Sequence, residues 1–184
     1  MNTILQSDLF RYDQLRGISG LRKAMKYPGF KFTYFFRKAS TTSKFTPAGI
    51  LYRILLNKYK YKFGFQIPAG TKIGKGLFIG HFGTIVVNSK AVIGEHCNLS
   101  HGITIGQANR GKLMGVPVIG DYVWIGTGAV IVGKITIGSN VLIAPNSYVN
   151  FDVPDNAIVI GNPAKIIEKE NPTEGYINNI LMRN

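Results

Sequence analysis

A chain of 184 residues, 45% of them hydrophobic, can bury a core for one principal domain and a short appendage, which excludes wholesale disorder. The single cysteine, Cys97, excludes an internal disulfide. No apolar run approaches the ~18 residues of a membrane span and no charged-apolar-small leader opens the sequence, so a cytoplasmic protein is expected. The net charge of +13 is unevenly placed: 13 of the 22 Lys and Arg residues fall in residues 1–66, against only Asp8 and Asp13.

Residues 1–62 read as a basic helical cap. Leu15 to Lys26 has the pattern of a short helix stopped by Pro28-Gly29. Phe30 to Lys38 mixes aromatics with Lys31, Arg37 and Lys38, and Ser40 to Ser43 looks like a loop. Pro47 can start a second helix with Ile50, Leu51, Ile54, Leu55 and Tyr59 on one side, running into the basic-aromatic stretch Lys58 to Phe63. Cations interleaved with aromatics suit single-stranded nucleic acid or anionic lipid. The plainer expectation is a cover for the open first coil of the domain that follows, with a solvated basic rim. Peripheral contact with the inner face of a membrane is compatible with that cover; nucleic acid is not expected, because no recognised module accompanies the charge.

Residues 63–167 count in sixes. Aliphatic side chains fall at Ile67, Ile73, Ile79 and Ile85, resume at Ile93, Leu99 and Ile105, and continue from Ile119 in steps of six to Val149. Neither a helical stripe nor a plain alternating strand has that period; a short β unit repeated into a solenoid does. An all-β sandwich would space its turns more widely. The expectation is a mainly β, triangular parallel β-helix, with Cys97 at an inward repeat position as an inert core residue. The two residues that break the count after Ile85 are placed within Val86–Val92. His81 and His101 then share one corner on adjacent coils, about one strand spacing (~4.8 Å) apart. Between Ile105 and Ile119, eight additional residues within Gln107–Gly115 must leave the coil as a projecting loop, free to fold over the His101 corner or to reach a neighbouring subunit. Trp124, one place before an inward aliphatic, should point outward and can stack on a sugar ring or adenine. His96 is expected to be solvated. Residues 168–184 form a polar tail.

The hexads, the loop and the closing Gly161-Asn-Pro-Ala-Lys165-Ile-Ile167 resemble the left-handed β-helix, hexapeptide-repeat acyltransferases. The stretches Ile79–Val87, Asn98–Gly106 and Asp152–Pro154 are similar to the serine acetyltransferase branch, and the short leader to the capsule and O-antigen O-acetyltransferases within it. The resemblance implies a homotrimer, acetyl-CoA as cosubstrate in the groove between neighbouring solenoids, and a histidine general base, which His81 matches. It implies further that Gly106, Thr127 and Pro145 line the pantetheine arm and that Lys165 lies near the nucleotide end. An imidazole titrates near neutral pH and can take a proton from an attacking hydroxyl; main-chain N–H groups at a glycine corner are candidate donors to the oxyanion. His101 stands where many relatives have glutamine and can orient the base, share its proton, replace it or simply contact substrate.

Three departures bear on the acceptor. Serine-acetylating relatives carry an acid immediately before the histidine, where this chain has Gly80. Their orienting carboxylate falls at Gln66, and a second histidine after the loop becomes Gly115-Val116-Pro117. With the charged ligands for an amino acid largely absent, the expected acceptor is a saccharide hydroxyl in surface-polysaccharide synthesis, lipid-linked or polymeric, with Gln66, Trp124 and Asn109 as substrate contacts. Serine is the alternative acceptor. A zinc-dependent carbonic anhydrase-like hydratase would need His96 and His101 in one site with His81; no metal is expected. A non-enzymatic scaffold completes the alternatives.

Overall fold

In the computed structural model, residues 3–181 are described, and they form a helical N-terminal region seated on a parallel β-helix. Four helices come first: α1 (Thr3–Phe10), α2 (Gly17–Ala24), α3 (Pro28–Thr41) and α4 (Pro47–Phe63). The first coil then carries β1 (Phe65–Gln66), β2 (Lys72–Ile73) and β3 (Phe78–Ile79). The second carries β4 (Ile85–Val87), β5 (Val92–Ile93) and β6 (Asn98–Leu99), and the third β7 (Thr104–Gly106), β8 (Val118–Ile119) and β9 (Trp124–Ile125). The fourth carries β10 (Val130–Val132), β11 (Thr136–Ile137) and β12 (Val141–Ile143); β13 (Tyr148–Val149), β14 (Ala157–Gly161) and β15 (Ala164–Glu168) close the solenoid.

Every third strand stacks on the same face. One sheet runs β1-β4-β7-β10-β13, the second β2-β5-β8-β11, and the third β3-β6-β9-β12-β14-β15, with only the last pair antiparallel. The inward hexad residues Ile79, Leu99, Ile125, Ile143 and Val159 form one buried ladder, and Ile67, Val87, Ile105, Ile131 and Val149 another. Cys97 is fully buried in the same core; burial pushes its thiol up to about 12, so it stays protonated and inert.

The register corrects one sequence expectation. Ile67 is followed by Val87 on the ladder, and Val87 pairs with Ile105. The two extra residues therefore lie between Ile79 and Val87, at the His81 corner itself, and not within Val86–Val92. Ile85 and Val87 are both buried aliphatics, so residue type alone could not choose between them.

The first coil has no neighbour below it, and its free backbone groups are satisfied by side chains from the helices. Asp8 Oδ1 accepts from Leu77 N at 2.9 Å, and Tyr12 Oη both accepts from Ile79 N and donates to Ile79 O. Arg11 donates to Gly76 O and to Asn98 Oδ1. Arg37 donates to Ile73 O and Gly74 O while pairing with Asp8 at 2.8 Å. An open sheet edge is thus closed by two helices rather than by another strand. Burial pushes the Asp8 carboxyl up, with Arg37 opposing it.

Helices α1 and α3 are absent from the sequence reading. Asp8 and Ser7 are buried in α1, which spoils any apolar stripe. Pro28 does follow α2, but it also opens α3 at the first helical position. Gly29 beside it touches β3: a Cβ there would lie 1.9 Å from Ile79 O, so only glycine lets α3 sit this close. The stretch Ser40 to Ser43 begins within α3, which runs to Thr41.

Candidate active site

The corner between the third and first sheets carries the two histidines. Ile79 pairs with Leu99, Leu99 with Ile125, and Ile125 with Ile143. The residues two places further on, His81, His101, Thr127 and Pro145, therefore occupy one corner on four successive coils. The His81 and His101 rings are exposed and meet edge to face, with centroids 5.8 Å apart at 82°. The longer His81 corner is closed by Gly83 at φ 138°, where a Cβ would crowd His101 Cβ at 3.1 Å. That glycine is what lets the two imidazoles approach.

Three of the glycine N–H groups at this corner are already taken. Gly83 N donates to Phe63 O at 2.9 Å, Gly102 N to Thr84 O at 2.5 Å, and Gly128 N to His101 O at 3.1 Å. They hold the coils in register and are not available to an oxyanion. Phe63 ends α4, so the helical region anchors the His81 corner as well as the first coil's edge.

The remaining sequence candidates are distributed around the solenoid. Gly106 ends β7, pairs with Val132 and lies at the opposite end of the first sheet from the histidine corner. The loop departs from that end, about six residues (~20 Å) from His101 along the coil. It closes on itself through Ala108 and Gly115, each donating to the other at 3.0 Å, and Asn109 accepts from Gln107 within it. It does not fold over its own histidine corner. Gln66 is exposed on β1 opposite Val86 and lines an open cavity of about 540 Å³ with Lys60 and Tyr61. Lys165 is exposed on β15, opposite Ile160.

Trp124 does face outward, but its ring packs on Tyr176 at 4.8 Å. The tail that reads as merely polar runs back across the third sheet. Thr173 bonds Asn140, Tyr176 O accepts from Asn98, and Asn178 O accepts from Arg11. His96 is 2% exposed, stacked on Tyr122, with Nδ1 unpartnered. Burial, reinforced by the Arg11 charge, holds its imidazole below the ordinary value. His96 sits at the corner before β6, His101 at the corner after it, so the two do not share a site. Among the described residues no group of three His, Cys, Asp or Glu is placed to hold a metal.

Sequence reasoning missed a second cavity, of about 250 Å³, bounded by Arg11, Asp13, Tyr27, Phe78, Gly80 and Tyr176. It opens at Gly80, the residue bonded to His81. Arg11 is 4% exposed and bonds only neutral acceptors; burial lowers it to about 10, which leaves it charged at neutral pH. Asp13 is exposed and accepts from Tyr27 Oη at 2.8 Å. The Phe78 ring covers Gly80, 3.2 Å from where a Cβ would stand, so a side chain there would displace the ring by a few tenths of an ångström. The only advance signal was Asp13, one of two acids in a basic segment.

Comparison with known proteins fits this geometry. The bacterial transferase hexapeptide (six repeats) signature matches residues 117–150. The serine acetyltransferase of Synechococcus elongatus is 31% identical over 149 residues, 81% of this chain and 61% of that one. The Helicobacter pylori serine acetyltransferase is 35% identical over 118 residues, 64% of this chain and 69% of that one. The Neisseria gonorrhoeae serine acetyltransferase, solved with serine, superposes with a TM-score of 0.71 at 32% identity, covering 89% of this chain and 67% of that one. The Brucella abortus serine acetyltransferase, solved with coenzyme A, gives 0.73 at 30%, covering 90% and 67%. The chain thus spans only 61% of the Synechococcus relative's length.

These relatives overturn the saccharide acceptor. The short leader and the lost acids pointed to capsule and O-antigen enzymes, yet the proteins that align across most of this chain are serine acetyltransferases. The expected absence of charged ligands considers the solenoid alone; the helical region adds Arg11 and Asp13 to a cavity that Gly80 also lines, with the Arg11 guanidinium on Gly76 and Asn98, toward the His96 end of β3. The repeats form the left-handed β-helix of those structures. The chain belongs to the serine acetyltransferase family of hexapeptide-repeat transferases.

Proposed function

We propose that the chain transfers the acetyl group of acetyl-CoA to the hydroxyl of serine, with His81 as general base. The observation that carries this reading is the exposed His81–His101 pair at one corner, adjoining a small cavity that holds both signs of charge. The serine oxygen attacks the thioester carbonyl while His81 takes its proton. The C–S bond then breaks, and the imidazolium returns the proton to the sulfur, leaving O-acetylserine and free coenzyme A. His101, edge to face with His81, sets the ring orientation where other members use a carboxylate. Thr127 and Pro145 continue the same corner and form the wall for the pantetheine arm; Lys165 and Gly106 stand further out along the groove. A trimer places the loop of one subunit over the corner of the next.

A cavity of about 250 Å³ carrying Asp13 and Arg11 favours a small zwitterion over a neutral sugar. Asp13 faces the ammonium, and the Arg11 charge makes the floor attractive to the carboxylate. Mass spectrometry of the product tests this: O-acetylserine should form from serine, and the acetylated forms of serinamide and glucose should appear far more slowly. Acetylation of a sugar with no product from serine would refute the acceptor.

A further inference from the structure

Helix α4 has two unlike sides. Tyr52, Leu56, Tyr59 and Phe63 pack into the core. On the opposite side Ile50, Leu51 and Ile54 are 50, 52 and 60% exposed, and the stripe is bracketed by Phe45 at 82% and Tyr61 at 81%. Their spacing puts them on one face of the helix. Isolated surface aliphatics need no partner, but a contiguous stripe does. Lys44, Lys58 and Lys62 flank it, all exposed.

Charge decides what covers this face. From Asp13 to Glu95 the chain contains no Asp or Glu between them, so the rim carries cations only. A second copy laid on the stripe would set lysines against lysines, which costs affinity. An anionic lipid surface neutralises them. No described helix is long and apolar enough to cross a bilayer; a 17-residue helix, about 26 Å long, can lie along one. Aliphatics between terminal aromatics, with lysines at the sides, is the pattern of a helix resting in the headgroup–acyl boundary. We propose that α4 docks the protein flat on an anionic membrane surface, with Ile50, Leu51 and Ile54 inserted and Lys44, Lys58 and Lys62 on lipid phosphates.

The test is co-sedimentation of the full chain with vesicles of phosphatidylcholine alone or mixed with phosphatidylglycerol. Binding should require the anionic lipid and weaken with salt. Leu51→Ser with Ile54→Ser should lower partition about tenfold or more, and Lys58→Glu or Lys62→Glu should cost roughly fivefold each. Substituting exposed side chains should leave the thermal melt in place. As an independent readout in an otherwise native chain, Phe45→Trp should shift its emission to the blue when anionic vesicles are added. Absence of binding to anionic vesicles would overturn the proposal. So would binding indifferent to both sets of substitutions, or loss of a larger assembly in the Leu51/Ile54 variant with no lipid binding in the parent, which would assign the face to a second copy.

Discussion

Replacing Arg37 with methionine removes the cation that closes the first coil. Asp8 would be left buried without its partner, and Ile73 O and Gly74 O would lose their donors. Breaking a buried ion pair from one side costs about 3–5 kcal/mol, and each stranded, half-buried carbonyl adds at most about 1 kcal/mol, the low end of the penalty for a fully buried one. Because the losses share one site and do not add, about 4 kcal/mol is a fair expectation. At roughly 2–4 °C per kcal/mol for a chain of this size, the midpoint should fall by about 8–16 °C. Thermal melts followed by circular dichroism at neutral pH measure it directly. Adding Asp8→Asn to Arg37→Met should recover part of the loss, since the unpaired charge disappears. A fall of less than about 3 °C for Arg37→Met, or no recovery in the double variant, would refute the capping role of this pair.

Asp8 also sets a pH dependence. Its folded pKa lies above the ordinary 3.8, chiefly through burial, so protonated Asp8 favours the fold. That contribution is complete below the unfolded value and is lost as pH rises through the folded one. Melts across pH should therefore show wild type losing ground to Asp8→Asn as pH increases from about 4 and levelling off above the folded pKa. Gly29→Ala should lower the midpoint and the activity together, because a methyl at 1.9 Å from Ile79 O lifts α3 off the strand that leads to His81. Asp13→Asn should raise KM for serine about tenfold with kcat little changed, as removal of a binding charge does. His101→Gln should keep more activity than His101→Ala, with a pH–rate profile displaced in both; equal loss in the two would point to His101 as the base itself.

The solenoid is legible because every coil repeats the same demand. Ile119, Ile125 and Ile131 point into a core too narrow for polar groups, and the period of six survives at Ile137, Ile143 and Val149. The neighbouring corners of His81 and His101 follow from that count even though the two-residue insertion was placed one strand late. What stays hidden depends on contacts between distant segments. Asp8, Arg11 and Arg37 are charged residues whose burial makes sense only against the unpaired edge of the first coil. His96 reads as solvated until Tyr122 stacks on it. Tyr176 reads as tail until it covers Trp124. The acceptor is hidden for the same reason, since Arg11 and Asp13, which share a cavity with Gly80, lie some seventy residues before His81 in the chain, just after α1.

Thiol release from acetyl-CoA, followed with and without serine for wild type and His81→Ala, bears most directly on the function. Serine-dependent release in the wild type, reduced at least about a hundredfold in His81→Ala with an unchanged melt, is the predicted result. Release that ignores serine, or a His81→Ala enzyme that retains full serine-dependent turnover, would contradict it.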